Sequence, residues 1–315
     1  MFEDPILFWK NFRLGTELHV SGTMIYNALY SFDQIKYFRY EHEVFEFLYN
    51  LSIGLERLEK IAVILIEHDE QLDQEEFEKT LITHNHLVLL NRIKKTHTIN
   101  LGKQHIKLMQ MISDFYRSTR YSRYNLKSVY TKNQDLDCFV RFLKEELKVV
   151  EEEGIQPIVA NDHRVKKFIG KLVGKITSEL YAVIQNETKR LNIYTHEILA
   201  YSKSYKIFLA QEFTFEKERH LQRELLILLQ SGHLNDGLTK FIRSIDPLPF
   251  DSYSSIEYIR FLMDIRNNPE ILDEMDTILE DDPMDKNRLD QVSLIGQENI
   301  YFNDDDDNEF EDMEY

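Results

Sequence analysis

Apolar residues recur along this chain at spacings of three and four almost throughout. In "HEVFEFLYNLSIGLERLEKIAVILIEH", Val44, Phe47, Leu48, Leu51, Leu55, Leu58, Ala62, Leu65 and Ile66 form one continuous stripe. That is the signature of a helix facing a core. Leu136, Phe139, Val140, Leu143, Leu147 and Val150 mark a later helix, and "LQRELLILL" places Leu221, Leu225 and Leu228 on one face of another. No Asn-Gly or Asp-Gly turn joins alternating runs, so strands are not expected. The pattern predicts an all-α, multi-helix bundle.

Breaks in the pattern suggest the organisation. Gly154 and Pro157 in "EEEGIQPIVAND" should end a first unit over residues 1–153, and a second helical unit packed on it is expected over 160–268. "SIDPLPFDSYSS", with two prolines, reads as a surface loop. Gly170 and Gly174 form a GxxxG inside a helical run, the spacing expected of a close helix crossing. From Pro269 onward "PEILDEMDTILE" predicts a short amphipathic helix. Past Asp281 the apolar density falls, and "NDDDDNEFEDMEY" repels itself too strongly to pack, so disorder is expected there.

Charge sharpens this picture. The formal net charge is −17, yet eighteen acids against Lys286 and Arg288 put −16 of it in residues 269–315. The first 268 residues are therefore close to neutral at −1. Between Asn91 and Lys132, ten Lys and Arg oppose only Asp114, a local excess of +9. A milder basic run, "RVKKFIGKLVGK", spans Arg164–Lys175. The chain is a cationic middle followed by an anionic end.

The middle is also aromatic. "DFYRSTRYSRYN" carries three arginines and three tyrosines. On a helix, Arg117, Arg120, Tyr121 and Tyr124 share a face, flanked by Arg123 and Lys127. Guanidinium groups bind phosphate oxygens through paired donors, and tyrosine rings stack on unpaired bases. These six residues are the candidate nucleic-acid surface, for RNA or DNA. The bland alternative is arginine packed on tyrosine within the fold.

The same region resembles the HEPN superfamily of helical bundle domains. A helix carrying Glu56 and Lys60 four apart precedes "THNHL", in which Thr83, His84 and Asn85 match a Thr-His-Asx turn. Leu87 arrives one place late. Arg120 and Tyr121 match a later Arg-Tyr, with Ser122 where proline is usual. The resemblance covers about residues 40–125. It implies a bundle that often dimerises and works in toxin–antitoxin, abortive-infection or antiviral-defence systems. Its catalytic members are metal-independent ribonucleases using an arginine and a histidine four to six residues apart. Here Arg190 with His196 and Arg92 with His97 have that spacing, as does Arg13 with His19. Arg190 and His196 are preferred, because the family motif opens a helix late in the bundle. Such a histidine moves a proton while the arginine stabilises charge on phosphorus.

No metal or cofactor is expected. "HNH" (His84–His86) is not the dispersed metal-nuclease motif, "DDPMDKNRLD" lacks the glycine and final glutamate of a calcium loop, and no phosphate-cradling glycine loop is present. The single Cys138 suits a reducing cytosol, and neither a membrane span nor a secretory leader is legible, so a cytoplasmic protein is expected. The competing reading is a non-enzymatic module whose acidic tail binds a protein partner, and a third reading lays that tail over the basic surface as an internal mask.

Overall fold

A computed structural model describes residues 4–69, 71–119, 124, 126, 134–149, 159–264, 270–281, 283, 286–297, 300 and 302. The chain is all-α. Among the described residues the one β-type contact is an isolated antiparallel bridge between Tyr37 and Ala160. No described helix is long and apolar enough to cross a membrane. The chain divides into two compact units, Met1–Phe215 and Glu216–Tyr315.

The first unit contains α1 (Pro5–Phe8), a π-helical turn (Trp9–Arg13), α2 (Leu14–Gln34), α3 (Glu41–Glu67), α4 (Gln74–Thr80), α5 (His86–Ile93) and α6 (Lys103–Asp114). A second π-helical turn (Phe115–Thr119) extends α6, followed by α7 (Gln134–Leu147), α8 (His163–Leu191) and α9 (Lys203–Phe208). Asp4 caps α1 by accepting from the amides of Ile6 and Leu7, with Pro5 in the first turn where its missing N–H costs nothing.

The central element is α3. From Val44 to Leu65 every residue of its predicted stripe is at most 1% exposed, with Ile66 half-buried. Burial spreads beyond the stripe to Ile61, Val63 and Ile64, because α2, α5 and α8 all pack against this helix. α2 crosses α3 at Gly54, where a Cβ would lie 2.7 Å from Cγ1 of Ile25, and the Ser21 hydroxyl donates to the Gly54 carbonyl at 2.8 Å. On α7, Leu136, Phe139 and Leu143 are buried as predicted, joined by Phe142. Val150 lies outside the described residues.

The GxxxG of α8 does not receive a helix. A Cβ on Gly170 would meet the Phe213 carbonyl oxygen at 2.7 Å, and one on Gly174 would meet the Phe213 ring at 2.6 Å. The two glycines make a groove for the non-helical segment after α9. The spacing anticipated a close approach, but it could not say that the visitor was irregular chain.

The second unit contains α10 (Glu216–Gln230), α11 (Gly237–Ser244), α12 (Ser255–Met263), α13 (Glu270–Asp281) and α14 (Lys286–Ser293). The "SIDPLPFDSYSS" loop joins α11 to α12, and the amphipathic helix predicted after Pro269 is α13. A further helix, α14, follows beyond Asp281. The Glu274 carboxylate ties α13 to its own unit, accepting from the Asp251 amide at 2.9 Å and the Tyr258 hydroxyl at 2.8 Å. Desolvation and the Glu274 charge push the Tyr258 phenol up to about 12. Beyond Phe215 no described apolar residue is buried. The predicted leucine stripe of α10 is open, with Leu221 at 57%, Leu225 at 46% and Leu228 at 42% exposure.

Candidate functional site

Three carboxylate contacts tie α3 to α5 in parallel register. His84, just before α5, reaches Glu56 through Nδ1 at 2.9 Å; His86 reaches Glu59 through Nδ1 at 2.7 Å; Arg92 reaches Glu67 through Nη2 at 2.6 Å. The turn that sets this register is built from "THNH". Asn85 caps α5 by accepting from the Leu87 and Val88 amides, and the Thr83 hydroxyl accepts from the Asn85 amide. His84 and His86 therefore serve different glutamates, and among the described residues no cluster of His, Cys, Asp and Glu could hold a metal ion.

At the first end of this seam Glu56 is bonded on both oxygens, with Lys60 Nζ at 2.6 Å on one and His84 on the other. Tyr116 meets the His84 ring edge-on at 4.8 Å. A pocket of about 490 Å³ opens here, walled by Trp9, Tyr49 and Tyr116 and rimmed by Glu17, Glu56, Arg57 and Lys60. Glu17 and Arg57 form an ion pair across its edge. Tyr116, the first tyrosine of "DFYRSTRYSRYN", belongs to this pocket.

One turn along α3, the Glu59–His86 pair is wholly buried. The His86 amide is anchored by the Ser113 hydroxyl at 3.0 Å. Glu59 Oε1 and His86 Nε2 have no hydrogen-bond partner. Desolvation raises the Glu59 pKa above its ordinary value, with His86 opposing the shift.

At the far end of the seam the sequence candidates are regrouped. Arg92 is committed: besides Glu67 it donates through Nη1 to the Thr80 carbonyl at 2.9 Å. His97 turns instead to α8, its Nε2 3.1 Å from Glu187 Oε1. Arg190 donates through Nε to Glu187 Oε2 at 2.8 Å and through Nη2 to the Leu65 carbonyl at 3.3 Å. One histidine and one arginine from different predicted pairs thus share a carboxylate whose side chain is 7% exposed. Thr96 completes the group, its hydroxyl 3.0 Å from His97 Nδ1 and 3.3 Å from the Ile93 carbonyl. That hydroxyl suits both states of the ring, donating to a neutral Nδ1 or accepting from a protonated one while it turns to Ile93.

His196 goes elsewhere. Its Nδ1 lies 2.9 Å from the Thr188 hydroxyl, and its carbonyl accepts from Tyr181. Arg190 ends a helix instead of opening one, because Asn192 at φ 54° takes the left-handed conformation that closes α8. Beside the His97 group lies a surface cleft of about 480 Å³ lined by Glu67, Thr80, Arg92, Lys95 and Thr96. Lys94 and Lys95 are exposed and make no ion pair among the described residues. Glu187 is the residue that sequence reasoning missed. Its signal was present three places before Arg190, but only the fold brings His97 to it.

Of the candidate nucleic-acid residues, Arg117 is exposed on the second π-helical turn and Tyr124 is 88% exposed. Arg120, Tyr121, Arg123 and Lys127 lie outside the described residues. In comparisons with known proteins, the chain matches no family model, no curated protein sequence and no solved structure.

Proposed function

We propose that this protein is a HEPN-like helical protein that binds RNA and cleaves it without a metal, at the His97–Glu187–Arg190 group. The observation that carries the reading is the Glu187 carboxylate, which holds an imidazole and a guanidinium from two separate elements beside a cleft lined by Lys95. Contacts among Glu56, Lys60 and His84 bring together three of the residues on which the resemblance rests.

The chemistry follows from the contacts. The Glu187 carboxylate lies 3.1 Å from His97 Nε2 and favours the proton on that nitrogen, which leaves Nδ1 as the basic one behind the Thr96 hydroxyl. A ribose 2′-hydroxyl displacing Thr96 from Nδ1 loses its proton there as its oxygen attacks the adjacent phosphorus. The bond from phosphorus to the 5′ oxygen breaks, and that oxygen takes a proton from solvent. Arg190, whose side chain is 56% exposed, and Lys95 meet the negative charge that develops on the phosphoryl oxygens. The products are a 2′,3′-cyclic phosphate and a free 5′-hydroxyl.

The test is cleavage of single-stranded RNA in excess chelator by wild type, His97→Ala and His196→Ala. The reading expects a loss of about 10²-fold or more in His97→Ala, with His196→Ala close to wild type. Full activity in His97→Ala would sink the assignment.

A protein-binding role is the second reading, favoured by the open leucines of α10, where no residue is buried. Failure of the full chain to bind RNA, together with loss of a co-purifying protein in Leu225→Asp, would favour it.

A further inference from the structure

We propose that the aromatic pocket beside Glu56 receives an unpaired nucleobase and that guanine fits its rim best. This rests on the RNA reading and extends it to base preference. At about 490 Å³ the pocket is of the size that holds a small planar molecule. Rings from three different elements wall it: Trp9 from the first π-helical turn, Tyr49 from α3 and Tyr116 from the second π-helical turn. Base–aromatic stacking supplies affinity that is indifferent to sequence.

Preference comes from the rim. Glu17 and Glu56 balance Arg57 and Lys60, so the lining carries no net charge and suits a neutral ring with both donor and acceptor edges. The Glu56 side chain is 10% exposed and each oxygen has one partner, which leaves lone pairs for further donors. Lys60 spends one of its three N–H bonds on Glu56 and is 25% exposed. Guanine presents adjacent N1–H and N2–H donors to a carboxylate and an O6 acceptor to an ammonium. Adenine and cytosine each offer a single exocyclic donor group, and uracil a single ring N–H.

The two sites are joined by the α3–α5 seam. Glu56 and Glu67 lie eleven residues apart on α3, about 16 Å along its axis. A strand held at the cleft beside Thr96 therefore has a base pocket along the same pair of helices.

Trp9 is the only tryptophan of the chain and lines the pocket, so its emission reports occupancy directly. The experiment titrates the full chain with GMP, AMP, CMP and UMP, and with a short oligouridine carrying one guanine. The expected result is saturable quenching by guanine at tenfold or more lower concentration than by the other bases. Tyr116→Ala should lose the response, and Glu56→Gln should lose the preference while keeping weak binding. Tyr49→Ala, altered at an exposed wall, takes the place of Tyr116→Ala if circular dichroism shows that variant unfolded. Quenching by GMP itself assigns a free-nucleotide site, and quenching by the oligonucleotide alone assigns a strand-borne base. No response to any of these, or equal responses to all four bases, overturns the proposal. Quenching by guanine without RNA cleavage leaves the pocket standing and removes the catalytic reading; cleavage without quenching does the reverse.

Discussion

His97 and Glu187 meet at 3.1 Å although ninety residues separate them in the chain. The contact joins the turn after α5 to the last turns of α8, and Arg190 completes it from the same carboxylate. Glu187→Gln is expected to keep the fold, since its one amide oxygen can still accept from Arg190. It should lower RNA cleavage by about 10-fold or more, because the neutral group no longer stabilises an imidazolium. Cleavage equal to wild type would contradict the assigned role.

Thr96→Val tests the other nitrogen of the ring. Removing the hydroxyl leaves His97 Nδ1 without its partner but leaves the Glu187 contact intact. The change is expected to alter the melting temperature little, because Thr96 is exposed. Cleavage should hold or rise slightly, because the attacking 2′-hydroxyl has to displace that hydroxyl from Nδ1. A large fall in cleavage with an unchanged melting temperature would contradict that order of contacts.

The buried pair Glu59–His86 predicts a particular pH dependence of stability. The folded-state pKa of Glu59 is raised above its ordinary 4.5. Its contribution is therefore fully present below about pH 4.5 and is lost as pH rises through the higher folded value. Glu56 faces it and adds to the shift, while His86 and Lys60 oppose it. Glu59→Gln keeps an acceptor for His86 and removes the titration. In urea denaturation from pH 4.5 to 7, wild type should lose stability relative to the variant. Parallel curves would show that Glu59 is ionised at no net cost.

Gly170→Ala probes the groove on α8. The added methyl would press on the Phe213 carbonyl at 2.7 Å, and backbone cannot turn aside as a side chain can. A destabilisation of about 1–3 kcal/mol is expected from overpacking, despite the better helix propensity of alanine. Thermal unfolding measures it, and an unchanged or higher melting temperature would mean that the segment after α9 yields freely.

Helical class, the α3 stripe and the α7 face could be read directly from apolar spacing, because burial of one face repeats every three or four residues. The α10 stripe shows the limit of that signal: leucines at the same spacing remain open. Periodicity marks a helix and a sticky face without saying what covers it. The candidate chemistry was legible by residue type and not by partner. Arg190 and His97 were both singled out, each with a companion that the fold places in other contacts, because spacing in sequence cannot detect a carboxylate delivered by another helix. The "THNH" turn was noticed as a motif, and its physical content is a helix cap that aims two histidines at two glutamates.

The most direct test of the central claim is the chemistry of the ends produced when wild type and His97→Ala are incubated with 5′-labelled single-stranded RNA in excess EDTA. The account predicts fragments ending in a 2′,3′-cyclic phosphate from wild type and essentially none from His97→Ala. Intact RNA with both proteins, or the same fragments from both, would contradict it.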